Sequence, residues 1–336
     1  MKNVYFIINH EGNHKTITNL GCGASELLFY YTALKLSKFF NIKIINRSKP
    51  EKIDNIEYLY LPDNLNPNIE KINNSIIIIQ RNFFIAIELN KINPSNTYIV
   101  WSHDYLENDF TNFGGKYSFN ETNDYFKKNN IIIISVSNFH RKNIQKKMKD
   151  VDIYTIYNSL FPELYYKTSN IKVNKNQIVF ASNWGKGIDK ILNICNDYYK
   201  INKELKLILI KPSYCEWEPD FTNYPFVECL GSIKDKKKYC EIIQSSLLLL
   251  TTSYPETFGC VFAESLHLGV PVIGDNSMEA GFHEIISKDY LCNFNNTNEV
   301  IKLIEQIKTN DNHDIFLNDI FYENNVINKW VKIINE

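Results

Sequence analysis

The sequence lacks the features that would tie the chain to nucleic acid or fix it in a membrane. Its formal net charge is −1 over 336 residues, so it has no overall positive charge to attract a polyanion. No uninterrupted apolar run reaches the roughly 18 residues that a membrane span requires. The nearest candidate, Ile76–Leu89, is broken by polar residues at Gln80–Asn82. The first residues also lack the pattern of a signal peptide. We therefore expect no nucleic-acid partner and no transmembrane segment.

The chain also has few cysteines, and their spacing does not suggest disulfides. The seven cysteines are scattered and include no C-x-x-C pair. This favours a reducing compartment, so we expect a cytoplasmic location. One basic stretch, Arg141–Lys149, is amphipathic at best. A solvated helix face is its favoured interpretation, and a peripheral membrane contact is the alternative.

Short apolar strands alternate with longer amphipathic segments along the chain, which is typical of an α/β fold. A first alternation runs from Val4–Asn9 to Ile153–Tyr157, and a second runs from Ile178–Ala181 to Val270–Ile273. Between them, the polar stretch Tyr166–Asn176 is interpreted as the linker region. The pattern predicts two Rossmann-like halves with a cleft between them.

The most informative segment is Thr251–Gly274, which holds two glutamates eight positions apart, Glu256 and Glu264. Glu256 lies in a tight turn after a strand, and Glu264 lies inside a short helix that opens near Gly259. A helix N-terminus after such a turn is well suited to bind phosphate. Because carboxylates would repel phosphate, we expect them to hold sugar and ribose hydroxyls. This predicts a nucleotide-sugar site; capping or solvent exposure is the plain alternative for each glutamate taken singly.

Three further groups are candidates for ligand contacts, and one of them, His103 with Asp104, stands where open α/β sheets place their ligands. Lys186 lies between two glycines at a predicted helix start, where an ammonium can meet charge on a phosphate leaving group. His103 and Asp104 follow a predicted strand. The loop with Gly21 and Gly23 precedes a helix and would let the backbone approach a pyrophosphate. Its spacing does not fit the dinucleotide fingerprint.

The sequences Pro-Glu-Thr-Phe-Gly, Ala-Glu-Ser-Leu and Gly-Val-Pro-Val-Ile closely resemble those of retaining family-4 glycosyltransferases of the GT-B fold. The resemblance implies two Rossmann-like domains that face each other across a cleft. The first, on the acceptor side, comprises residues 1–160 and is completed by a C-terminal helix, 319–336, that crosses back. The second, residues 161–318, would bind the nucleotide-sugar donor.

The resemblance also implies roles for individual residues. Lys186, Glu256 and His103 would be catalytic: Lys186 would stabilise the diphosphate, and Glu256 and His103 would contact the transferred sugar. Asp104 would lie on the acceptor side, and Glu264 would bind the ribose. The full expected donor site is Gly21, Gly23, Ser182, Asn183, Lys186, Gly231, Ile233, Glu256, Thr257, Phe258, Gly259, Cys260 and Glu264.

The chain departs from the family pattern at one point. Many members have an arginine about five residues before the lysine, where this chain has Phe180 and Ala181. The diphosphate would then depend on Lys186 and backbone N–H groups, with an external divalent cation left open. We assign no metal ligands and no tightly bound cofactor. Asp150-Val-Asp152 resembles the D-x-D metal motif of the other major glycosyltransferase fold, but it is interpreted as a solvated turn.

The expected activity is transfer of a sugar from a nucleoside-diphosphate sugar to a glycan or glycoconjugate, with retention of configuration. UDP-hexose is the first choice of donor, and a GDP-sugar is the second. Two alternatives stay open: a catalytically inactive sugar-binding or scaffolding subunit, and a GT-B-fold sugar-nucleotide epimerase.

Overall fold

The computed structural model describes residues 1–18, 23–62, 69–107, 116–215, 219–252, 255–310 and 315–336. The chain divides into two compact units. Unit 1 comprises Met1–Ser159 and Glu323–Glu336, and unit 2 comprises Leu160–Tyr322. The predicted linker, Tyr166–Asn176, lies inside unit 2, and its last residues already belong to a strand whose polar beginning is exposed. The acceptor and donor roles assigned to the two halves stay predictions.

Unit 1 is built on one sheet, whose order is β3-β4-β2-β1-β5-β6-β7-β8. All neighbouring strands are parallel except β3 and β4, which pair antiparallel. The strands are β1 Asn3–Ile7, β2 Asn41–Asn46, β3 Glu51–Ile53, β4 Ile56–Tyr60, β5 Ile76–Gln80, β6 Thr97–Trp101, β7 Ile132–Ser135 and β8 Ile153–Thr155.

Among the described residues of unit 1, four helices follow strands: α1 Ala24–Leu36, α2 Phe83–Ile92, α3 Phe119–Lys128 and α4 Asn138–Lys147. The apolar run Ile76–Leu89 is split between β5 and α2. Arg81 takes a left-handed backbone conformation with φ of 61°, which ends the strand. The side chain of Asn82 then caps α2 by accepting a hydrogen bond from the N–H of Ile85. A capping box between Ser118 and Glu121 begins α3 in a similar way.

Unit 2 contains a fully parallel sheet in the order β11-β10-β9-β12-β13-β14. Its strands are β9 Asn174–Ala181, β10 Lys206–Ile210, β11 Val227–Gly231, β12 Ser246–Thr251, β13 Val272–Asp275 and β14 Leu291–Cys292. Its helices are α5 Ile188–Ile201, α6 Lys236–Gln244, α7 Cys260–His267 and α8 Thr297–Thr309. The helix predicted from about Lys186 begins at Ile188, because Trp184–Lys186 form a 3₁₀ turn first.

The last helix, α9 Glu323–Asn335, belongs to unit 1. Lys35 of α1 forms an ion pair of 2.8 Å with Glu323. The fully buried Trp330 packs edge-on against Trp101 of β6, with ring centroids 4.9 Å apart. No helix within the described ranges is both long and apolar enough to cross a bilayer.

Each sheet reverses its strand order at one point. In unit 1, β1 pairs with β2 on one side and with β5 on the other. In unit 2, β9 pairs with β10 on one side and with β12 on the other. In open α/β sheets a crevice forms at the carboxyl ends of the strands at such a switch point, and ligands bind there.

Candidate active site

Lys186 and Glu256 meet at the switch point of unit 2. Lys186 follows β9 and Glu256 follows β12, and these strands are neighbours. The Lys186 Nζ lies 2.7 Å from Oε2 of Glu256. The ammonium side chain is 36% exposed and the carboxylate side chain is 13% exposed. A half-exposed cation at this position is accessible to an anionic ligand.

The backbone around Lys186 is fixed by its neighbours. The Asn183 side chain accepts a hydrogen bond of 2.9 Å from the N–H of Gly185, which caps the start of the 3₁₀ turn. The Thr252 hydroxyl donates a hydrogen bond of 2.6 Å to the carbonyl of Lys186. Gly187 has φ of 92°, a conformation that favours glycine. The turn therefore holds Lys186 in one place before any ligand binds.

Glu256 is held through both its side chain and its backbone. Its Oε1 accepts a hydrogen bond of 3.2 Å from the N–H of Phe258. Its carbonyl accepts one of 2.9 Å from the N–H of Gly281. A side chain at Gly281 would collide with the Thr257 carbonyl at 1.9 Å, so the turn at 279–284 packs directly on the Glu256 turn.

Helix α7 begins just beyond this turn, after Gly259 at φ of 98°. A Cβ at this glycine would lie 2.2 Å from the ring of Phe262. No side-chain cap from the described residues is found at the start of this helix, and the N–H of Phe262 donates a hydrogen bond of 3.1 Å to the carbonyl of Gly259. The positive end of the helix dipole lies at this turn. The predicted donor residues Thr257, Phe258 and Cys260 lie on this turn and at the helix start. The arrangement places N–H groups, an ammonium and a carboxylate in one stretch of unit 2.

Glu264 lies on α7 and is buried, with 8% of its surface exposed. Its Oε1 accepts a hydrogen bond of 2.7 Å from the Tyr165 hydroxyl, and its Oε2 accepts one of 2.8 Å from the Tyr239 hydroxyl. The sequence predicted the glutamate and missed both tyrosines. They come from the segment before β9 and from α6, and no local pattern links them to α7.

A cavity of about 320 Å³ adjoins the Lys186 turn. Gly185 and Gly187 line it, together with an ion pair of 2.9 Å between Lys190 and Asp275. Burial alone would raise the pKa of Asp275. Hydrogen bonds from Lys190 and from backbone N–H groups outweigh burial and hold this pKa below its ordinary value. The sequence did not single out this pair.

Two further residues of the expected donor site lie at the end of β11: Gly231 is its last residue, and Ile233 follows it. Gly231 has φ of 66° with open space where a side chain would be, and Ile233 is half-buried. Ser182 is likewise half-buried after β9. These positions are compatible with backbone contacts to a ligand, and their roles stay predictions.

In unit 1 an arginine that the sequence analysis missed lies at the switch point. Arg81 follows β5 and forms ion pairs of 2.9 Å with Glu26 at the start of α1 and with Asp104 after β6. The sequence offered one signal for this site, namely a charged residue directly after a buried apolar strand. Gly23 is the residue before α1, with φ of −73°, whereas Gly21 lies outside the described residues.

His103 is 5% exposed and lies against Trp101, with ring centroids 4.7 Å apart. Burial is the main reason that its pKa lies well below the ordinary value, and the charge of Arg81 adds to the effect. The imidazole is therefore neutral near pH 7.

The Asp150 turn is exposed and forms an ion pair of 3.1 Å with Lys127, as a solvated turn would.

Comparison with known proteins shows which family this site resembles. Residues 167–319, which include Lys186, Glu256 and Glu264, match the family model for Glycosyl transferases group 1. The matched segment thus resembles the group 1 glycosyltransferases in the part of unit 2 that carries these three residues. A stretch of 178 residues is 26% identical to N-acetyl-alpha-D-glucosaminyl L-malate synthase from Bacillus anthracis. It covers 48% of this chain and 46% of that protein, so the chain spans about half the length of the curated relative it matches.

Solved structures extend the likeness to the whole chain. Sucrose-phosphate synthase from Thermosynechococcus elongatus matches with a TM-score of 0.74 at 11% identity, over 100% of this chain and 98% of that one. An E. coli structure described as trehalose-6-phosphate bound with UDP-2-fluoro glucose matches with a TM-score of 0.65 at 11% identity, over 99% and 95% of the two chains. The predicted GT-B fold is confirmed.

Proposed function

We propose that the chain is a retaining glycosyltransferase that transfers a hexosyl group from a UDP-hexose to a glycan or glycoconjugate acceptor. The observation that carries the proposal is the Lys186–Glu256 pair at 2.7 Å, at the switch point of the sheet in the segment that matches the family model for Glycosyl transferases group 1. A GDP-sugar is the second choice of donor. UDP-hexose is supported by the E. coli neighbour, whose description includes UDP-2-fluoro glucose.

The ion pair gives Lys186 and Glu256 complementary tasks. When the donor binds, the Lys186 ammonium pairs with the diphosphate instead of with Glu256. The first N–H groups of α7 donate hydrogen bonds to phosphate oxygens. Glu256 then loses one hydrogen-bond donor and accepts hydrogen bonds from sugar hydroxyls instead. An ammonium aimed at the diphosphate stabilises the negative charge that grows as the leaving group departs.

The chemical step exchanges one C–O bond for another. The bond between the anomeric carbon and the diphosphate oxygen breaks, and its electron pair leaves with the diphosphate. The acceptor hydroxyl oxygen bonds to the anomeric carbon on the same face, and its proton passes to a donor phosphate oxygen. This route needs no general base from the protein. In this proposal, neutral His103 contacts outer hydroxyls of the sugar, and Asp104 helps shape the acceptor side.

A specific observation favours one competing function. Where family members carry a second cation before the lysine, Phe180 is fully buried and stacks on Trp184, with ring centroids 6.0 Å apart. This core position cannot supply a charge to the diphosphate. A catalytically inactive sugar-binding subunit is therefore the second candidate. For the active enzyme we propose a cytoplasmic location, no tightly bound cofactor and an optional divalent cation.

The experiment has two stages. Thermal shift against a panel of nucleotide-sugars identifies the donor, since a ligand at 100 times its Kd stabilises the fold by about 2.7 kcal/mol. The purified chain is then incubated with that donor, and released nucleotide and sugar products are measured with and without Mg²⁺. A glycosyltransferase releases UDP and yields transferred or free sugar. Binding without turnover supports the inactive subunit, and a changed sugar still attached to UDP identifies an epimerase.

A further inference from the structure

Glu264 lies in a cluster with Tyr165, Tyr239 and Lys236. No local sequence pattern connects these four residues. The two phenol hydroxyls of Tyr165 and Tyr239 donate one hydrogen bond to each carboxylate oxygen, at 2.7 and 2.8 Å. The Lys236 ammonium lies 3.4 Å from the Tyr165 hydroxyl and 4.8 and 5.2 Å from the centres of the two rings. The carboxylate thus has two buried donors and a cation nearby.

Both tyrosines keep their protons at neutral pH. Burial is the main reason that the pKa of each lies well above its ordinary value, and the charge of Glu264 raises it further. Each phenol is therefore a donor to Glu264. Hydrogen bonds to a charged acceptor are among the stronger ones in proteins, so the pair fixes the plane of the carboxylate.

This arrangement uses only part of the acceptor capacity of Glu264. An ionised carboxylate offers about four lone-pair directions, two on each oxygen. The tyrosines occupy one direction on each oxygen. The free directions on the two oxygens suit a ligand that presents two neighbouring hydroxyl donors. The 2′- and 3′-hydroxyls of a ribose are such a pair.

We propose that Tyr165 and Tyr239 are positioning residues that aim the Glu264 carboxylate at both ribose hydroxyls of the nucleotide, and so set a preference for ribonucleotide over 2′-deoxyribonucleotide donors. The inference rests on the proposed function, because it requires a nucleotide in unit 2. It adds two residues that do not touch the ligand themselves. They act by fixing the group that does.

The test compares the affinities of paired probes by isothermal titration calorimetry. UDP and 2′-deoxy-UDP are titrated into the full chain, with GDP and 2′-deoxy-GDP in parallel. One hydrogen bond to a charged group corresponds to a preference of about tenfold or more for the ribonucleotide in the unaltered chain. In Tyr165→Phe and Tyr239→Phe we expect this preference to fall below about threefold, because the carboxylate is no longer held.

Tyr198→Phe is a matched control. The Tyr198 hydroxyl also donates to a carboxylate in unit 2, that of Glu305, and the ring is 1% exposed. This variant removes the same kind of hydrogen bond elsewhere, so it should keep the full preference. A merely structural role for Tyr165 and Tyr239 would change stability and leave the ratio of the two affinities unchanged.

The possible failures are distinguishable. If the unaltered chain binds neither UDP nor GDP, the proposed function itself fails. If it binds them but does not prefer the ribonucleotide, or if both Phe variants keep its preference, only the inference is overturned. Should the variants not fold, a crystal structure of the unaltered chain with UDP decides. Ribose hydroxyls on a Glu264 that still accepts from both tyrosines support the inference, and a ribose bound elsewhere overturns it.

Discussion

A Cβ atom on Gly187 would lie 1.9 Å from Oγ1 of Thr252, the hydroxyl that bonds the Lys186 carbonyl. Gly187→Ala must therefore strain a left-handed backbone and also displace this threonine. Gly231→Ala is the matched control, because Gly231 shares the positive φ but has nothing within 4 Å of the new Cβ. We expect about 1–2 kcal/mol of lost stability for Gly231→Ala, measured by urea unfolding. Gly187→Ala should cost about 1–3 kcal/mol more. Equal losses would contradict the described packing.

Lys186→Gln removes the ammonium that we assign to the diphosphate. We expect UDP affinity, measured by calorimetry, to fall by about 10–100-fold, as for the loss of one charged hydrogen bond. Lys237→Gln is the control, because the Lys237 side chain is 62% exposed on α6 and lies 4.0 Å from the Glu241 carboxylate. The control should bind UDP as the unaltered chain does. A Lys186→Gln variant with unchanged affinity would place the diphosphate elsewhere.

Arg81 is expected to contribute more to stability than an ordinary surface ion pair. Arg81→Met leaves the carboxylates of Glu26, only 14% exposed, and of Asp104 without the cation that they share. The loss of one partner from a partly buried network should cost about 1–3 kcal/mol in urea unfolding. Lys43→Met, which breaks a more exposed pair with Glu57, should cost less than about 1 kcal/mol. The account of unit 1 is wrong if the two variants lose equal stability.

The buried histidines His103 and His140 make the stability of unit 1 depend on pH, because the pKa of each is lowered by burial. Burial lowers the pKa of His140 to about 4, whereas an unfolded histidine titrates near pH 6.5. Below about pH 6.5 the unfolded chain therefore binds more protons than the folded one. Each such histidine should remove up to about 1.4 kcal/mol of unfolding free energy per pH unit as the pH falls toward 4. His140→Gln should show a shallower decline between pH 6.5 and 5 in urea unfolding. An identical slope would mean that His140 does not carry the effect.

The sequence predicted the parts of the fold that depend on local pattern. Apolar strands such as Ile76–Ile79 stood out, as did the turn and helix around Glu256. The antiparallel β3, Glu51–Ile53, was missed because its three residues are polar or partly exposed and show no alternation. The start of α5 was placed too early because a 3₁₀ turn at Lys186 has the same residue types as a helix start.

The candidate site was predictable where one motif carried it. Lys186 and Glu256 were each singled out, and the structure places their charged groups 2.7 Å apart. The partners of Glu264 were not predictable, because Tyr165 lies 99 positions away and meets it only through the fold. Arg81 was read as an interruption of an apolar run. Its importance follows from the sheet order, which brings β5 beside β1 and β6.

The account depends most on Glu256 contributing more to the reaction than to donor binding. The direct measurement is kcat for glycosyl transfer and Kd for the donor in Glu256→Gln, which keeps the size of the side chain. We predict a fall in kcat of at least about 100-fold, as for the loss of one transition-state contact, with Kd within about threefold of the unaltered chain. An unchanged kcat would contradict the account.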